Sequence, residues 1–110
     1  LNEDMIGYEP SQNPGQWQIN IMDYSNSKDL RACAEQVALA YTSLTPYTDN
    51  RWNQDSDSYS FYQNGFEALF FLADSENPDY HTGSDRVSNL NFEYCREATK
   101  LSCALLLYMN

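Results

Sequence analysis

Large apolar residues alternate with smaller or polar ones from Trp17 to Met22, with Trp17, Ile19 and Ile21 on one side and Gln18, Asn20 and Met22 on the other. A period of two predicts a strand with one better-buried face. Upstream, Met5 and Ile6 follow the acidic Glu3 and Asp4 before Gly7, Pro10, Pro14 and Gly15 break the pattern, which predicts a short strand and a turn. From Asn26 the period changes. Asp29 three residues later makes a start resembling a capping box, and Leu30, Cys33, Val37, Ala40 and Leu44 recur at helical spacing, predicting an amphipathic helix to about Thr42. Pro46 closes that segment, and Tyr47 to Trp52 is a connection with room for a short strand.

Ser56 opens a second helix, over Ser58 to Asn64, with Gly65 at the position that favours left-handed backbone. Glu67 to Ala73, EALFFLA, is short, aromatic-rich and without alternation, which suits a central strand covered on both faces. Asn91 caps the last helix, with Leu90 as a staple to Cys95, and Tyr94, Ala98, Leu101, Leu105 and Tyr108 form its apolar stripe. Strands interleaved with helices predict an α/β fold, a three-layer sandwich with a mixed sheet lacking some of its strands. Loops that bind ligands in such sheets lie outside strand carboxyl ends, where the acidic turn from Asp74 to Asp85 falls.

Composition narrows the partners. The 110 residues carry 16 acidic and 6 basic side chains, a formal charge of −10, which repels phosphate backbones and anionic lipid surfaces, so neither nucleic acid nor membrane is an expected partner. A 42% hydrophobic and 15% aromatic content suffices for a core, so the chain is expected to fold as a single domain. No apolar run approaches the roughly 20 residues that span a bilayer, and the first residues show no leader pattern. The opening LNEDMIGY reads as a strand entered midway, so the chain is expected to be part of something longer. Cys95 and Cys103, about 12 Å apart along one predicted helix, cannot bridge each other. Cys33 remains able to pair with one of them, although three small buried apolar residues is the simpler reading.

The chemistry-bearing residues are few. Asp4 and the single histidine, His81, offer the carboxylate oxygen and imidazole nitrogen that divalent metals prefer, yet one of each is ordinarily a solvated side chain. Their order changes the odds: Glu3-Asp4-Met5, then Ser56-Asp57 with Phe61, Gly65, an apolar strand, and Tyr80-His81-Thr82 before a helix. That order resembles the C-terminal part of the catalytic domain of co-catalytic zinc aminopeptidases, metallopeptidase family 28, over nearly the whole chain. The resemblance implies a zinc exopeptidase that removes an N-terminal residue using metal-activated water. Asp4 would ligate one zinc and His81 the other of a pair about 3.5–4 Å apart.

By the same resemblance, Asp57 and Asp85 are neighbours of the ligands or pocket. Ser58 stands where the family usually has histidine and Arg86 where it usually has threonine. Asp57 serves equally well as a carboxylate favouring a helix N-terminus. Tyr59, Phe61, Phe66 and Tyr80 are candidates for a pocket wall or for plain core. The family's remaining ligands and its Glu-Glu general base have no counterpart here, so by resemblance they precede Leu1, and this chain holds no catalytic base. The implied partners are a peptide substrate and the missing N-terminal half of the domain, with self-association through an open sheet edge if that half is absent. An extracytoplasmic location, periplasmic or secreted, follows from the resemblance alone. Two other functions stay open on the same scaffold: a noncatalytic binding protein, and a glutaminyl-cyclase-like acyltransferase with a single zinc.

Overall fold

A computed structural model describes residues 1–109. Its elements are β1 (Asn2–Glu3), β2 (Gln18–Met22), α1 (Lys28–Tyr41), β3 (Thr45–Tyr47), α2 (Asp57–Gln63), β4 (Phe70–Ala73) and α3 (Phe92–Tyr108). Short 3-10 turns occupy Pro14–Gln16, Asn50–Trp52 and Val87–Asn89. The sheet runs β1-β4-β2-β3, with β4 parallel to β1 and antiparallel to β2, and β2 parallel to β3. The two most apolar strands thus take the inner places. Pro46, which cannot donate to a ladder, sits in edge strand β3. No helix among the described residues is long and apolar enough to cross a membrane.

Register sorts the side chains onto two faces. Ile21 lies opposite Phe71 and Ile19 opposite Ala73, and these join Trp17, Leu69, α1 (Ala34, Val37, Ala38) and α3 (Tyr94, Ala98, Leu101, Leu105) in one core. Each fully buried leucine there contributes about 1.5–3 kcal/mol of transfer free energy. On the other face, Asn20 pairs with Leu72 and with Tyr47, and Met22 with Phe70. This corrects the expected alternation in β2, because Asn20 and Met22 are as buried as Ile19 and Ile21. The loop that begins at Thr48 reaches that second face, where Asp49 bonds to the Asn20 side chain, a long-range cover with no trace in local periodicity.

Other boundaries moved for local reasons. β1 ends at Glu3 rather than running through Met5 and Ile6, because Met5 adopts left-handed backbone at φ 56°. Helix α1 starts after Ser27, not Asn26. The Ser27 hydroxyl donates to Asn26 Oδ1 (2.9 Å) and accepts the Ala68 N–H (2.9 Å), while the Asn26 amide donates to the Phe66 carbonyl (3.1 Å). Both side chains are therefore used to tie β4's approach to α1 rather than to cap. Ala40 of the expected stripe faces solvent, and Leu44 is buried beyond the helix end.

Asn91 caps α3, its Oδ1 accepting the Tyr94 N–H at 3.1 Å. Tyr94 meets Trp17 edge-on at 5.8 Å and donates its hydroxyl to the Gln18 carbonyl at 2.6 Å, fixing α3 on the sheet. Tyr108 is 71% exposed, a correction to the expected stripe: the last turn of α3 runs past the core. Glu97, by contrast, is buried, accepting the Ser43 N–H at 2.8 Å and lying 3.4 Å from Lys100 Nζ. All three cysteines are free thiols, and Cys103 is exposed rather than buried.

Gly65 follows α2 at φ +86° with open space around its Cα. The conformation, not crowding, excludes other residues. Gly65→Ala is expected to cost about 1 kcal/mol, the left-handed penalty of a residue with a Cβ. A denaturant midpoint equal to that of the parent protein would contradict this.

Candidate active site

An open cleft of about 710 Å³ lies on the sheet face away from α1 and α3. Its floor is Asn20, Tyr47, Phe70 and Leu72, the side chains that the register sends to that face. Asp4 and Met5 come in from the end of β1, and Asp74 from the end of β4. Asp49, Arg51, Trp52 and Asp55 make one wall, and Glu76, Tyr80 and Asp85 belong to the loop that follows β4. The cleft therefore runs from that face past the carboxyl ends of β1 and β4 to the acidic turn.

Backbone conformation marks the two candidate ligand segments. Among the described non-glycine residues, only Met5 (φ 56°) and His81 (φ 59°) are left-handed. Such conformations cost on the order of 1–3 kcal/mol and persist where surrounding structure imposes them. Asp4 still bonds its N–H to the Phe71 carbonyl (3.2 Å), and the chain then turns at Met5, leaving an exposed carboxylate at the strand end. His81 is exposed, its ring stacked on that of Tyr80 at 3.7 Å.

The loop around His81 is braced from within. Asn77 Oδ1 accepts the Asp79 N–H (2.9 Å), and Thr82 Oγ1 donates to the Asp79 carbonyl (2.7 Å). The Asn77 amide donates to Asp85 (3.1 Å) and the Asn89 amide to Asp79 (2.9 Å). Asp85 thus fixes the loop that carries His81.

Charge in the cleft is mostly negative. Burial, with the neighbouring Asp74 carboxylate, pushes the Tyr47 hydroxyl far above its ordinary range. Burial likewise raises Tyr94, aided by Glu9 and Asp74. Both phenols stay protonated across the physiological range. Asp49 is held below the usual carboxylate range by the Arg51 backbone N–H and side chain, and the Arg51 guanidinium is engaged with it at 2.6 Å.

Of the residues singled out in the sequence, Asp4, Tyr80 and Asp85 line this cleft, and His81 adjoins it through Tyr80. Asp57 and Phe61 instead line a smaller pocket of about 250 Å³ with Leu1, Asn2 and Ala68, beside the outer edge of β1. Tyr59 is half-buried, about 6 Å from the rings of Tyr24 and Tyr62, and Phe66 is exposed. Sequence reasoning missed Tyr47, Trp52 and Asn20. A polar Asn20 inside an apolar strand was the one signal that pointed there.

Asp4 and His81 suit zinc by donor type. Their number does not suffice: no group of three or more His, Cys, Asp or Glu side chains that could hold a metal ion occurs among the described residues. A catalytic zinc needs three protein ligands. The described residues by themselves therefore fall short of the donor set of a catalytic zinc.

A family model described as Peptidase family M28 matches residues 1–106. Two curated relatives are each described as a probable leucine aminopeptidase: one from Arthroderma otae, 28% identical, and one from Trichophyton verrucosum, 29% identical, each over 92% of this chain and 27% of the relative. The chain thus spans about a quarter of the length of the curated relatives it matches. Among solved structures, the Legionella pneumophila LapA aminopeptidase superposes with a TM-score of 0.80 at 24% identity, over 96% of this chain and 29% of that one. This likeness shows the fold: an α/β arrangement equivalent to part of that protein.

Proposed function

The chain belongs to Peptidase family M28, and from that premise we propose that it is the C-terminal portion of a zinc-dependent aminopeptidase, a partial domain supplying Asp4 to one ion and His81 to the other. The observation that carries this reading is the pairing of backbone with position. Left-handed residues fall at His81 itself and directly after Asp4. The two zinc ions, when bound, would polarise the scissile carbonyl and activate water. This chain's own residues would present one donor to each ion, brace the histidine loop through Asp85 and Asn77, and line the substrate cleft through Met5, Trp52, Leu72 and Tyr80.

The missing part of the domain is proposed to pair with the outer side of β1, next to the small pocket and the exposed Phe61. Peptide substrate and that missing part are the proposed partners, and an extracytoplasmic site of action remains part of the proposal.

Full-length protein is expected to bind two zinc ions and release amine from leucyl anilide, with activity lost to a chelator and restored by zinc. The 110-residue chain alone is expected to be catalytically silent, to bind zinc weakly, and to self-associate through the open edge of β1. Zinc titration beside sizing chromatography with light scattering checks the second part. A monomer holding stoichiometric zinc at micromolar affinity or tighter would contradict the division of ligands.

A further inference from the structure

Asn20 is a polar side chain in the middle of an inner strand, 3% exposed, between Ile19 and Ile21, which are completely buried. A buried amide costs about 1–3 kcal/mol unless its hydrogen bonds are made. Here both go to a single residue. The Asn20 Nδ2 donates to the Asp49 carbonyl at 2.9 Å, and its Oδ1 accepts the Asp49 N–H at 2.9 Å.

That exchange is the one by which two opposed residues pair in an antiparallel ladder. β3 ends at Tyr47, so the amide holds the chain just where the ladder stops. The far side of the same loop is tied as well: Asn50 exchanges two bonds with Asp23, one from the Asp23 N–H (2.9 Å) and one to its carboxylate (2.7 Å). Asn53 donates to the Asp23 carbonyl at 2.9 Å. Trp52 is carried between these ties, 51% exposed, and lines the cleft.

Resting on the aminopeptidase reading, we propose that Asn20 is a positioning residue for substrate specificity, fixing residues 49–52 so that Trp52 walls the space for the side chain of the substrate's N-terminal residue. Met5, Leu72 and Tyr80 give the same cleft further apolar surface. A bulky apolar side chain reaches such a wall and gains from it. An alanyl side chain ends short of it.

The test uses full-length protein, with KM and kcat measured on leucyl and alanyl anilides. Asn20→Leu keeps side-chain bulk while removing both bonds to Asp49. Trp52→Ala removes the wall itself and, at an exposed position, spares the core, so the wall can be tested even where Asn20→Leu fails to fold. Both variants are expected to raise KM for the leucyl substrate about tenfold, in the range that a lost pocket contact gives. The alanyl KM rises by much less, so the preference for the leucyl over the alanyl substrate narrows by most of that factor. Amide exchange at Asp49 is expected to accelerate in Asn20→Leu and to remain at the parent rate in Trp52→Ala.

Equal losses on both substrates, a fall in kcat at constant KM, or unchanged Asp49 exchange in Asn20→Leu would overturn the role of Asn20 while leaving the aminopeptidase reading in place. Parent protein inert toward both anilides would overturn that reading, and the specificity role with it.

Discussion

Full-length protein carrying His81→Ala is expected to lose zinc and to hydrolyse aminoacyl anilides at least about 100-fold more slowly, at an unchanged unfolding midpoint. Residues that merely orient a metal ligand cost 10–100-fold when changed, and a direct ligand costs no less. The fold is spared because the His81 side chain is exposed and its close neighbour is the Tyr80 ring. The bracing hydrogen bonds of the loop run through Asn77, Asp79, Thr82, Asp85 and Asn89 rather than through the imidazole. Metal analysis and turnover, read together, check this. Parent-level zinc with parent-level turnover would remove His81 from the ligand set.

The second large effect is on stability and lies away from the cleft. Asp23→Ala is expected to destabilise the protein by about 3 kcal/mol, the low end of the range for breaking a buried ion pair. The Asp23 side chain is completely buried, accepting from Lys28 Nζ (2.8 Å), Arg31 Nε (2.8 Å) and the Asn50 amide (2.7 Å). Lys28 and Arg31 keep some access to water, so neither is left as a fully buried charge. Burial pushes the Asp23 carboxyl upward, but hydrogen bonds from Lys28, Asn50 and Arg31 outweigh it and hold the group below its ordinary 3.8.

A depressed folded-state value means that the folded state resists protonation more than the unfolded chain does. The contribution is therefore whole above the ordinary value and is lost as pH falls through the lower folded one. Urea unfolding at neutral pH and again below pH 3.8 should show the difference between parent and Asp23→Ala shrinking in acid. An equal midpoint at neutral pH would contradict the claim.

Local signals carried the elements whose determinants are local. The Asn91 cap, the Tyr94 to Leu105 stripe and Gly65 after α2 are all visible within one or two helical turns of sequence, and each appears in the structure where the chain predicted it. EALFFLA reads as a covered strand because no polar residue interrupts it, and β4 is indeed an inner strand. What escaped depends on partners far along the chain. Asn20 looks like the polar side of an alternating strand until Asp49 covers it. Glu97, which no sequence motif marks, is buried and receives the Ser43 N–H from 54 residues away.

Asp23 and Ser27 carry no motif in the sequence, yet one gathers two cations and the other receives the Ala68 N–H. The candidate site divides along the same line. Asp4, Tyr80 and Asp85, which stand in short contiguous motifs, line the cleft, and His81 adjoins it through Tyr80. Tyr47 and Trp52 join the cleft only through the order of strands in the sheet.

Zinc-edge anomalous diffraction from crystals of the full-length protein tests the central claim most directly. Two zinc peaks are expected about 3.5–4 Å apart, with an Asp4 carboxylate oxygen bonded to one ion and a His81 ring nitrogen to the other, each at about 2.0–2.2 Å. Zinc bound elsewhere in the protein, or both side chains standing clear of any ion, would contradict it.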